Sequence, residues 1–144
     1  VILIIGILIC LIRIADILKA QKFTQLESLA IRLPFSVYFG WITVAVIANI
    51  TAFLVSIRWN GWGIGDTVWM IVIVLVGATI GTIRMLYDRS IPYGLVFIWA
   101  YTGIIIKHVS QTGFGGAYPE IIITIVFCII VFGAAIFKLF HSKR

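Results

Sequence analysis

Apolar residues in this chain run in long blocks, without the period-two alternation of a half-buried strand. Five blocks can be counted: Val1 to about Leu18, Pro34 to Ile57, Thr67 to Ile83, Ser90 to Ile106 and Ile121 to Phe137. The second carries no charge and would span roughly 36 Å as a helix. Each block is near or above the length of about 17 residues that a helix needs to cross hydrocarbon. Without alternation a β-barrel is not expected. Helices close their own backbone hydrogen bonds and are the form these blocks can take in lipid. The pattern predicts an all-α polytopic transmembrane bundle with five membrane-spanning helices.

The breakers divide the blocks. Pro34, Pro92 and Pro119 each stand where a helix is predicted to start, and proline in a first turn loses no intrahelical bond. Glu120 adds negative charge at the positive end of a helix dipole. The connector Arg58 to Asp66 is glycine-rich and holds Trp59 and Trp62, Asp88-Arg89 is tight, and Gln111 to Tyr118 is the loop expected to move most.

Composition narrows the class. Of 144 residues, 62% are hydrophobic and 11% charged, against about 25% charged in ordinary soluble domains. A soluble domain, a disordered chain and a disulfide scaffold are excluded, and Cys10 and Cys128 are expected to be buried free thiols. The net charge of +6 does not point to nucleic acid, because the basic residues lie between apolar blocks. Arg13, Lys19, Lys22, Arg32, Arg84, Arg89, Lys138, Lys143 and Arg144 fall on one side of the membrane, Arg58 and Lys107 on the other. By the positive-inside rule the C-terminus is cytoplasmic and Val1 begins outside. The setting is the cell's inner (cytoplasmic) membrane, with membrane lipid as a partner. Val1 already lies inside an apolar run with no basic leader, so a signal peptide is not expected. The chain is expected to be the C-terminal part of a longer protein.

The second block holds the main candidate site. Tyr38, Trp41, Ala45, Asn49 and Ala52 fall within an arc of roughly 80° of one helix. A mid-span asparagine facing lipid is costly, so Asn49 is expected to face other helices or a cavity. Either the arc is a packing face with one interhelical hydrogen bond, or Tyr38, Trp41, Ala45 and Asn49 line a ligand cavity.

The run Tyr38-Phe39-Gly40-Trp41-Ile42-Thr43-Val44-Ala45-Val46-Ile47-Ala48-Asn49 resembles the last helix of the TspO/MBR family, the tryptophan-rich sensory or translocator proteins. The matching residues are Tyr38, Trp41, Thr43, Ala45 and Asn49, with Phe53 at a further aromatic position. The resemblance covers residues 1–60, as that family's last two helices, and leaves residues 61–144 as three additional helices of a single transmembrane domain. It departs where Val37 stands in place of a proline, and the family's tryptophan–proline loop is not in the chain. The resemblance implies a membrane receptor or sensor for a lipophilic ligand such as a porphyrin, another tetrapyrrole or a sterol, with a transport role attached. The alternative is a small-solute transporter or permease component, although no internal repeat supports it.

Other candidates have plainer explanations. Gly77 and Gly81 form a small-xxx-small pattern, expected to pack a helix inside the chain, with a homodimer seam as the alternative. Arg13 and Asp16, three residues apart, are expected to pair. Trp59, Trp62, Trp69, Tyr87 and Tyr118 fit an interfacial aromatic belt. His108 and His141 lack companions at ligand spacing, so neither a metal nor another cofactor is expected. No nucleophile–base set or phosphate loop can be assembled, and the chain is not expected to be an enzyme.

Overall fold

A computed structural model describes residues 1–142, and among these the chain folds into five long helices with no strand. They are α1 (Ile2–Ala20), α2 (Gln25–Ser56), α3 (Asp66–Asp88), α4 (Ile91–Val109) and α5 (Pro119–His141). Three of them, α2, α3 and α5, are long and apolar enough to cross a membrane. The other two have 19 residues each; α1 carries Arg13, Asp16 and Lys19, and α4 ends on Lys107 and His108.

The second helix starts earlier than Pro34 predicts. Thr24 and Glu27 form a reciprocal capping box, with the Thr24 N–H donating to Glu27 Oε2 (2.9 Å) and the Glu27 N–H to Thr24 Oγ1 (3.3 Å). The helix then passes through a π-turn, Ser28–Arg32, where the Leu33 N–H reaches back to the Ser28 carbonyl. Pro34 follows inside the continuing helix. A widened turn just ahead of the proline accommodates the donor it lacks. Pro92 and Pro119 do stand in first turns.

Packing follows from one stripe per helix. On α5, Ile121, Ile125, Cys128, Phe132, Ala135 and Leu139 are buried at alternating steps of four and three. Ile123, Phe127, Ile130 and Phe137 on the opposite face are exposed. An outer surface so apolar belongs against lipid, and the chain is an integral membrane protein. The core is a column of rings: Phe39 on α2, Tyr93, Phe97 and Tyr101 on α4, and Phe132 on α5, with neighbouring centroids 5.0–6.4 Å apart. Its hydroxyls are satisfied: Tyr93 donates to Thr43 Oγ1 (3.2 Å) and Tyr101 to the Val74 carbonyl (2.6 Å). Cys128 is buried as expected, whereas Cys10 is exposed. Its α1 face has no neighbour among the described residues that would cover it.

Close helix approach is set by small residues. A Cβ on Gly81 would lie 2.6 Å from the Phe97 ring, and one on Gly77 2.8 Å from Tyr101 Oη. Both glycines therefore seat α3 on α4, inside the chain. Helices α2 and α4 pack closely, as do α4 with α5 and α3 with α5, while α2 and α3 touch only sparsely.

One end of the bundle is charged. Arg84 on α3 bridges Asp16 on α1 (2.8 Å) and Asp88 one turn on (2.7 Å). Arg32 donates to the Asp88 carbonyl, and Arg89 to Ser142 at the end of α5. The expected Arg13–Asp16 pair does not form, because Asp16 faces Arg84 across the helix interface and Arg13 stays exposed.

Candidate functional site

The sparse contact between α2 and α3 leaves a cavity of about 640 Å³, within the span of about 300–1,000 Å³ typical of small-molecule sites. From α2 it is lined by Thr43, Val46, Ile47, Ile50, Thr51 and Leu54; from α3 by Met70, Val72, Ile73, Val76 and Ile80; from α1 by Leu8. Its two threonine hydroxyls are engaged: Thr43 Oγ1 donates to the Phe39 carbonyl (2.9 Å) and Thr51 Oγ1 to the Ile47 carbonyl (2.9 Å). Away from the Asp66 end, such a wall suits a lipophilic molecule and offers an isolated charge nothing.

The end of the cavity away from the charged cluster is built by the connector between α2 and α3. Trp59, Trp62 and Trp69 form a three-ring cluster with centroids 4.9–5.8 Å apart. Trp59, Gly61, Asp66 and Trp69 border the cavity there. The Trp69 Nε1–H donates to the Gly61 carbonyl (2.9 Å), and Asn60 Oδ1 accepts from the Trp62 N–H (3.1 Å). Gly61 has φ +58°, and a Cβ there would lie 2.8 Å from Trp69 Nε1. Only glycine fits both the left-handed backbone and the indole pressed on it. The rings are tilted to one another by 54–80°, so the cavity end offers individual indole faces of Trp59 and Trp69, on one of which an aromatic ligand could stack.

None of Tyr38, Trp41, Ala45 and Asn49 lines this cavity. Tyr38 and Trp41 are each 50% exposed, Asn49 is exposed and Ala45 is half-buried. The expectation that Asn49 faces a neighbouring helix is corrected: its Nδ2–H donates to the Ala45 carbonyl one turn back (2.8 Å). That local bond lowers the cost of an outward-facing amide. The inward face of α2 is instead Phe39, Gly40, Ile42, Thr43 and Val46. Gly40 decides this, since a Cβ there would sit 3.1 Å from the Tyr93 carbonyl of α4. The four residues share a face as expected, but it looks away from the bundle.

The residues that do line the cavity are ordinary apolar ones with no chemical signature in sequence. The tryptophans were visible, but as an interfacial belt. The available signal for a folded cluster was Trp59-Asn60-Gly61-Trp62, a turn sequence bringing two indoles together. His108 is buried with Nδ1 2.9 Å from the Ile104 carbonyl and its ring on Phe114. No group of three metal-ligating side chains comes together among the described residues.

A family model described as TSPO-like protein matches residues 1–138. The matched range takes in all but the end of α5, and so extends beyond the 1–60 segment on which the sequence resemblance rests. No curated protein and no solved structure matches the chain.

Proposed function

The chain belongs to the TSPO-like protein family, and on that premise we propose that it is a membrane receptor or sensor that takes a lipophilic ligand into the cavity between α2 and α3. The observation carrying this proposal is the cavity itself: about 640 Å³, walled by aliphatic side chains and ended by the Trp59–Trp69 surface. A planar, largely apolar molecule such as a porphyrin matches that wall in size class and chemistry, with its ring on the indoles. A sterol matches the aliphatic part alone.

The proposal includes five spans, α1 and α4 crossing beside the three longer helices. Support comes from the polar contacts: Arg84–Asp16, Arg32–Asp88 and Arg89–Ser142 gather the ends of α1, α3 and α5 and the start of α2 at one end. An alternating path through the membrane requires that grouping. With most Lys and Arg residues there, this end is cytoplasmic in the proposed topology.

The test is titration of protoporphyrin into the purified full chain, followed by quenching of tryptophan emission. Saturable binding is expected. Ile47→Trp, which fills the cavity, should weaken it by about tenfold or more, roughly 1.4 kcal/mol. Trp41→Ala and Asn49→Leu, on the outward face, should bind with the wild-type midpoint. Absence of saturable binding, or an Ile47→Trp variant that binds like wild type, would overturn the proposal.

A further inference from the structure

At the charged end, a second cavity of about 410 Å³ lies between the turn that opens α2 and the start of α4. Arg32 and Arg89 both line it, with the hydroxyls of Ser28, Ser36 and Ser90. Ser36 and Ser90 are only 6% and 7% exposed, and neither side chain hydrogen-bonds to another residue among those described. Two largely buried serines, whose hydroxyls stay accessible and without protein partners, stand beside two guanidinium groups and make a polar pocket set for an anion with several acceptor oxygens.

The surrounding charges leave the arginines available. Glu27 is occupied by the Thr24 N–H and hydroxyl, and Asp88, whose Oδ1 is buried without a partner, is held at Oδ2 by Arg84. Arg32 spends one nitrogen on the Asp88 carbonyl and Arg89 one on Ser142. A guanidinium has five N–H donors, so each keeps others for a ligand. The backbone points the same way. Arg89 caps α3 at φ +51°, a left-handed position where glycine is favoured, and such strain collects at ligand sites. Arg32 closes the π-turn, another irregularity common at functional sites.

The location selects the source of the anion. Leu26, Leu29 and Ile31, on the same opening turns of α2, are 77%, 63% and 49% exposed. Apolar side chains bare to lipid beside a basic chamber describe the boundary between headgroups and acyl chains. We propose that this cavity binds the phosphate of an anionic glycerophospholipid between Arg32 and Arg89, with its acyl chains along the exposed leucines of α2. This site is separate from the α2–α3 cavity and stands whether or not that cavity takes a porphyrin.

The experiment uses the purified full chain in neutral detergent with a fluorescent phosphatidylglycerol as probe. Unlabelled phosphatidylglycerol, phosphatidylcholine and inorganic phosphate compete for it. Phosphatidylglycerol should displace the probe at concentrations about tenfold or more below phosphatidylcholine. Arg32→Gln combined with Arg89→Gly should abolish that preference. Arg89→Gly alone installs the residue that a left-handed cap favours, which offsets the lost bonds to Ser142; it should stay folded and lose several-fold in phosphatidylglycerol affinity. Equal displacement by the two lipids would overturn the proposal, as would wild-type preference in a folded Arg89→Gly protein. Inorganic phosphate competing as well as phosphatidylglycerol would assign the chamber to free phosphate and overturn the lipid assignment.

Discussion

Arg84 and Asp16, far apart in sequence, meet at 2.8 Å, and the same guanidinium holds Asp88 at 2.7 Å. One cation thus ties α1 to α3 and neutralises a carboxylate whose side chain is only 10% exposed. Arg84→Leu would strand Asp88 and should cost about 2–3 kcal/mol, below the value for a fully buried pair because water still reaches Arg84. Asp16→Asn, at a carboxylate 44% exposed, should cost about 1 kcal/mol or less. Thermal melts of the two variants in one detergent check the order; equal losses would place the stabilisation elsewhere.

The seat of α3 on α4 depends on Gly81 and Gly77. Gly81→Leu drives a side chain into the Phe97 ring and should destabilise the bundle by about 1–3 kcal/mol. A Cβ added to Gly133 on α5 would meet nothing within 4 Å, so Gly133→Ala should be neutral or slightly stabilising through helix propensity. Unfolding by a graded denaturing detergent, read side by side, separates the two.

Asn49→Leu tests the outward face of α2. The amide bonds only its own helix, at the Ala45 carbonyl. Its replacement by an apolar residue should change stability by less than about 1 kcal/mol, in either direction. A loss of several kcal/mol in the same melt would put Asn49 in a helix interface.

Gly61→Ala should disorder the tryptophan cluster, because its Cβ has no room beside Trp69 and its φ is positive. The expected signature is loss of near-ultraviolet circular dichroism from the indoles with helix content retained. An unchanged spectrum would show that the cluster does not depend on this turn.

Topology is checked with a reporter fused after Arg144. Activity confined to a cytoplasmic reporter is expected from the Lys and Arg distribution. Activity of a reporter that works only outside the cytoplasm would invert the proposed orientation.

Much of the architecture was legible in the chain alone. Blocks of apolar residues in a charge-poor sequence admit only helices in lipid, since every backbone polar group must be closed within its own segment. The helix ends were less legible. Pro34 looked like a start, but Thr24 and Glu27 spell a capping box ten residues earlier, and a π-turn carries the helix past the proline.

The rotation of each helix about its axis was decided only in three dimensions. A block apolar on every side has no preferred face, so hydropathy cannot choose between the Tyr38–Asn49 arc and the Thr43–Leu54 arc of α2. Contacts from other helices made that choice: Gly40 against Tyr93, Gly81 against Phe97, and Arg84 reaching across to Asp16. Packing draws α2 toward α4, and α3 toward α4 and α5, and leaves a gap between α2 and α3. The amino-acid sequence by itself determined that this protein is a membrane-embedded helical bundle, because burial of apolar surface is a property of composition and period. Where its cavity lies, and which side chains face it, was decided by tertiary packing, because that depends on which small residues let which backbones approach.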